Sequence, residues 1–332
     1  MNTGQTISTY LVPDIRWELY RIESLEEYIE QFVVKGRFHA NVPDDIQEAW
    51  QTVEYILAHA YYHWPMYDEG FQKALLIIEM AVKLKAKELD MSLKTKPSKK
   101  GKIFDKKLSV LINEVFTEEH FQFLKKDIDR ARRIRNHQVH SESNTFSGVV
   151  GNKTGNLMLA VNVLNDIFKN NEEQIALYTE SVKIADTIRF LNQSLLVLEY
   201  DKSSILVDNI FDFKVINTNL YLFVNPVRNN ISEILSNHYD IKPEVICLTE
   251  YKLKTGEING VLSEGNKVRI YKTDKQENKA IHKKYLSKID SRSKGEWEAF
   301  VYTLAQNAAW QMVSLEYENM SEGSWSKSPR NI

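Results

Sequence analysis

Apolar residues recur at helical spacing through the first 200 residues, and the period changes near Asp201. Ile46, Trp50, Val53, Ile56, Leu57 and Ala60 form one stripe. Leu75, Ile78, Val82 and Leu89 form the next, followed by Leu108, Leu111, Ile112 and Val115. Phe121, Leu124, Ile128, Ala131 and Ile134 mark a further helix. Val161, Leu164 and Phe168, then Ile175, Val182, Ala185, Ile188 and Leu195, mark two more. Each places its apolar residues on one face, and such faces are buried by packing against each other. Ser24-Leu25-Glu26-Glu27 has the form of a capping box and opens a short helix. The pattern predicts an antiparallel helical bundle over residues 1–200.

Beyond Asp201 the chain turns to β-branched and aromatic runs at 204–212, 213–224, 245–253 and 268–271, with Asn217-Thr218-Asn219 as a turn. A short helix is expected at 226–236 and a final one at 297–317. The predicted fold class is mainly α: the bundle, then a smaller α+β domain over 201–320, then a flexible tail over 321–332. The stretch from Gly148 to Gly155 reads as a flexible connector, and its Lys153-Thr154 lacks the glycine spacing of a phosphate-binding loop.

With 43% hydrophobic and 27% charged residues, the chain has an ordinary globular composition. A net charge of −2 excludes a global nucleic-acid footprint, so any such surface is a local patch. One cysteine, Cys247, sits in an apolar run and excludes an internal disulfide framework. Residues 1–5 show no basic start leading into an apolar run, so no secretory signal is expected, and no stretch is long and apolar enough to suggest a membrane span.

The chemistry gathers at Arg135-Asn136-His137-Gln138-Val139-His140. Imidazole carries protons near pH 7, and guanidinium holds phosphate and stabilises charge building on phosphorus. RNA supplies its own nucleophile, the 2′-hydroxyl. Arg135, His140 and Asn136 are therefore the candidate catalytic residues, Asn136 orienting the arginine or touching phosphate. Five helical positions rotate by about 140°, so Arg135 and His140 share a site only at a helix end, at a bend, or across two chains. The same residues also read as a surface cation, an exposed amide and a helix C-terminal cap. Lys125, Lys126, Arg130, Arg132 and Arg133 on the approach helix, and Lys99 and Lys100 in a basic loop, are candidates for RNA-backbone binding. His137 with His140, and His59 with His63, have helical ligand spacing, but no third ligand accompanies the motif pair; no metal or other cofactor is expected.

The segment resembles the Arg-x(4–6)-His signature of the HEPN superfamily, including the polar residue after the arginine. The resemblance covers roughly the first 200 residues. It implies a small all-α domain, metal-independent endoribonuclease activity on an RNA substrate, and a homodimer whose two motifs form one composite site. It also implies a setting such as toxin–antitoxin or antiphage defence; the lone cysteine and the lack of a signal or apolar span give the expectation of a cytoplasmic protein without a membrane partner. Residues 201–320 carry no catalytic motif and are expected to regulate. A small ligand or inhibitor protein would bind near Glu250 to Lys254 or on the aromatic final helix around Trp297 and Trp310. The alternative is a non-catalytic helical module that binds a nucleotide, RNA or protein.

Overall fold

Ser24 caps the first helix as its sequence predicts. Its Oγ accepts from the Glu27 N–H at 3.1 Å, while the Glu27 carboxylate accepts from the Glu23 N–H at 2.9 Å, one residue earlier than in the usual box. The computed structural model describes residues 10–97, 101–139, 150–201, 203–228, 231, 243–290 and 294–320. It divides into two compact units, one reaching Gln174 and the other spanning Ile175–Asn319.

The first unit is helical: α1 (Leu25–Phe32), α2 (Asp44–His59), α3 (Met66–Glu88), α4 (Leu108–Val115), α5 (Gln122–Val139), α6 (Val150–Phe168) and the start of α7 (Asn171–Leu191). The predicted stripes supply its core. Ile46, Trp50, Val53 and Leu57 of α2, and Leu75, Ile78 and Val82 of α3, are all buried. Three of its buried aromatic residues keep their polar ends satisfied. Tyr28 donates to the Leu57 carbonyl at 2.7 Å, Trp17 to Ala60 at 3.1 Å and Tyr67 to Phe32 at 2.9 Å. Residues 150–155, expected as a connector, are instead the first turns of α6.

The second unit corrects the expectation of a simple α+β domain. Its strands form a closed antiparallel barrel in the order β1-β2-β3-β4-β5-β6. They are β1 (Leu196–Tyr200), β2 (Ser203–Ile216), β3 (Asn219–Pro226), β4 (Glu244–Lys254), β5 (Glu257–Leu262) and β6 (Lys267–Lys272). Closure depends on β1, which pairs with both β2 and β6. The sequence reading ended a helix at Leu195 and had no strand here or at β5; without these two the sheet has open edges. The run at 204–212 and the start of that at 213–224 form one long strand up to the turn read at 217–219, bent by bulges beside Asp208 and Phe211.

Alternate residues fill the barrel: Leu196, Leu198, Val207, Leu220, Leu222, Ile246, Leu248, Ile258 and Ile270. Ile184, Ile188 and Leu191 of α7 belong to the same buried cluster. A Cβ on Gly260 would stand 2.9 Å from the Glu250 carbonyl, so the bulge between Leu248 and Glu250 requires a bare backbone opposite it. Outside, Tyr221 and Phe223 are covered by Ala308, Met312 and Leu315 of α9 (Lys294–Glu318), while His282 of α8 (Gln276–Asp290) meets Asp208 at 2.7 Å. The predicted helix at 226–236 lies mostly, and the predicted tail wholly, outside the described residues.

Candidate functional site

Helix α5 carries the approach to the motif. Leu124 and Ile128 are buried, and Ala131 continues their face into a cleft of about 20 Å³, room for one water, between α3, α5 and α6. Phe71 and Leu75 of α3 and Asn156 and Leu159 of α6 line the same cleft. Asp68 with Lys153, and Tyr67 with Thr154, join the first turns of α3 and α6, so those two helices run parallel. Helix α5 runs antiparallel to both. Its C-terminal half therefore travels toward the end of the layer where Asp68 and Lys153 meet.

Arg135 stands one turn beyond Ala131, about 6 Å along the axis, and seven residues after the buried Ile128. Asn136 follows it within α5, and the helix is described through Val139. His140, Lys99 and Lys100 lie outside the described residues.

The basic residues of α5 divide between surroundings. Asp129 sits among them and accepts from Arg132 at 2.8 Å and from Arg133 at 3.0 Å. The Arg132 hydrogen bond leads in holding the Asp129 carboxyl below its ordinary value. Lys126 lies 5.7 Å above the ring of Phe123, and Lys125 is half-buried. Arg130 instead lines the α3/α5/α6 cleft with Asp127. The five cations thus do not form one uninterrupted track; two of them share the charge of Asp129.

Sequence reasoning missed a buried ion pair between the first turns of α3 and α6. The side chains of Lys153 and Asp68 are 4% and 13% exposed and in direct contact. Beside them the Tyr67 hydroxyl bonds to Thr154 Oγ1 at 2.8 Å, and burial pushes its pKa well above the ordinary tyrosine value. A buried ion pair is costly to assemble, and such groups concentrate where a fold must hold one geometry or perform chemistry. The available signal was weak: a lysine and an aspartate 85 residues apart, each on an otherwise apolar helix face.

On the barrel, Glu250 and Lys252 line an open groove of about 520 Å³ with Glu199, Asn259 and Arg269. The guanidinium of Arg269 is held by Glu257 at 2.5 Å and stacks 4.5 Å from the Tyr271 ring. Trp297, expected near a ligand, packs with Tyr285, Phe300 and Leu304.

Among the described residues no group of three or more His, Cys, Asp or Glu has the arrangement of a metal site. No described helix is long and apolar enough to cross a membrane. No family model matches the chain, and neither does any curated protein or solved structure.

Proposed function

We propose that this chain is a metal-independent endoribonuclease of the HEPN type, acting in the cytoplasm as a homodimer. The observation that supports it best is the position of Arg135: late on α5, in a helical unit, at the end of the α3/α5/α6 layer marked by the buried Asp68–Lys153 pair. In this mechanism one imidazole takes the proton of the RNA 2′-hydroxyl. The freed oxygen attacks the adjacent phosphorus, and the bond to the 5′-oxygen breaks as that oxygen receives a proton. Arg135 stabilises the charge on the phosphoryl oxygens. The products are a 2′,3′-cyclic phosphate and a 5′-hydroxyl.

Two proton transfers and one His140 per chain favour pairing of two motifs about a two-fold axis. The barrel unit, which has no Arg-x4-His of its own, is assigned to regulation. A defence or toxin–antitoxin setting fits an RNA-cutting enzyme that carries such a unit.

Purified protein with total RNA and excess EDTA is expected to yield fragments ending in cyclic or 3′-phosphate, while a DNA of matching sequence stays intact. Cleavage that stops in EDTA and returns with magnesium would overturn the mechanism. Light scattering should give the mass of a dimer at concentrations where cleavage proceeds; an active monomer would remove the composite site. A non-catalytic binding module is the second reading, and the observation that favours it is a large cleft at the far end of the helical layer.

A further inference from the structure

At the opposite end of the same helical layer, where α3 and α6 finish and α5 begins, the first unit holds a cleft of about 810 Å³. That is the size of a small-molecule site. We propose that it binds a nucleoside monophosphate, either free or as the phosphorylated end of a nucleic-acid strand.

The chemistry of its lining separates into three parts. Phe121, partly exposed, gives it an aromatic face; Phe116, edge-on to that ring at 5.4 Å, and Phe168 also line the cleft but are buried. Flat heterocycles stack on such rings whatever their sequence identity. Gln174 supplies an acceptor. Its Nε2 donates to the carbonyls of Asp166 at 2.6 Å and Lys169 at 3.2 Å, which fixes the amide, yet its buried Oε1 has no hydrogen-bond partner. A buried acceptor without a donor is costly, and the exocyclic amine or ring N–H of a base would satisfy it.

The third part is the α6–α7 turn. Lys169 stands directly before Asn170, whose Oδ1 caps α7 by accepting from the Glu173 N–H at 2.8 Å. The Lys169 ammonium presents positive charge on one side of the cleft, beside the free N–H groups at the start of this 21-residue helix, whose first turn also carries Glu172 and Glu173. Lys169 is held by Asp166 at 2.8 Å, a pair three residues apart whose side chains are 25% and 26% exposed, and a phosphate would compete with that carboxylate for the ammonium. Glu88, Glu114 and Glu118 also line the cleft, Glu88 paired with Lys85 at 2.8 Å and Glu114 with Lys106 at 2.6 Å, and their carboxylates disfavour a triphosphate relative to a monophosphate.

Titration calorimetry on the full chain tests this with AMP, GMP, CMP and UMP, each beside its nucleoside and triphosphate, and with ribose 5-phosphate. At least one monophosphate is expected to bind saturably, more tightly than its triphosphate and than ribose 5-phosphate. Phe121→Ala should weaken it by about tenfold, the loss of one stacked base. Lys169→Gln should reduce the monophosphate to the affinity of the nucleoside and leave the nucleoside unchanged. A 5′-phosphorylated DNA dodecamer, which lacks the 2′-hydroxyl, identifies the source: tighter binding than the mononucleotide assigns the cleft to a strand end, weaker binding to the free nucleotide. Absence of saturable heat with every probe, equal binding of ribose 5-phosphate, or unchanged affinity in Phe121→Ala overturns the proposal. The readout is independent of RNA cleavage, so it stands or falls separately from the nuclease assignment.

Discussion

Alanine at His140 is expected to leave no measurable RNA cleavage in a protein that melts at the wild-type temperature. A positioned proton-transfer group is worth roughly 10²–10⁴ in rate, enough to bring a slow nuclease to background. Alanine at Arg135 is expected to cost about 3 kcal/mol of transition-state stabilisation, by analogy with the loss of one oxyanion donor, or roughly a hundredfold. The two groups serve one transition state, so the double variant should fall short of the sum of the single losses. Single-turnover cleavage of a labelled RNA, with thermal unfolding run beside it, measures both effects. Wild-type rate in His140→Ala would remove the assignment. Equal loss of rate and of folding in Arg135→Ala would make that arginine a structural residue.

The helical unit was legible because burial follows a 3.6-residue period. Ile46, Trp50, Val53 and Leu57 are spaced for one face, and all four are fully buried. The barrel was not legible, and the reason lies in particular segments. Strand β1 is a short apolar run, Leu196-Val197-Leu198, directly after a long helix, where nothing in a single sequence separates the last helical turn from a strand. Strand β5 is interrupted by Gly260 and follows the Thr255-Gly256-Glu257 turn, so it carries no strand signal of its own; the Glu250 carbonyl and the Leu248 side chain on β4 explain the glycine. Closure is a property of pairs such as Leu198 with Ile270, more than 70 residues apart, which no local pattern encodes. At the candidate site the motif was visible as a word in the sequence, whereas the Asp68–Lys153 pair became visible only once α3 and α6 lay side by side. Arg132 and Arg133, candidates for RNA contacts by sequence, share an acidic partner one turn away, because Asp129 occupies the same helix face.

Replacing Lys153 by methionine is expected to produce a large loss of stability in the helical unit. The lysine side chain is 4% exposed and its partner Asp68 is 13% exposed. Methionine keeps much of the volume but leaves a carboxylate with its principal countercharge removed. Breaking a buried pair from one side costs about 3–5 kcal/mol, which for a unit of this size lowers the melting temperature by roughly 6–20 °C. Asp68→Asn removes the other partner and should be similarly harmful. Asp68→Leu together with Lys153→Met removes both charges and should recover most of the loss, because an apolar pair of similar volume often equals or exceeds a buried ion pair. Urea unfolding followed by tryptophan fluorescence reads this unit through Trp17, Trp50 and Trp64. A Lys153→Met protein within about 1 kcal/mol of wild type, a change typical of surface sites, would show that the pair does not hold α3 to α6. The double variant carries the functional question. If it folds as firmly as wild type and still cuts RNA at the wild-type rate, the pair is a packing device. If it folds but cuts slowly, the charges fix the helix ends around Arg135, and the cost of burying them is retained for the site.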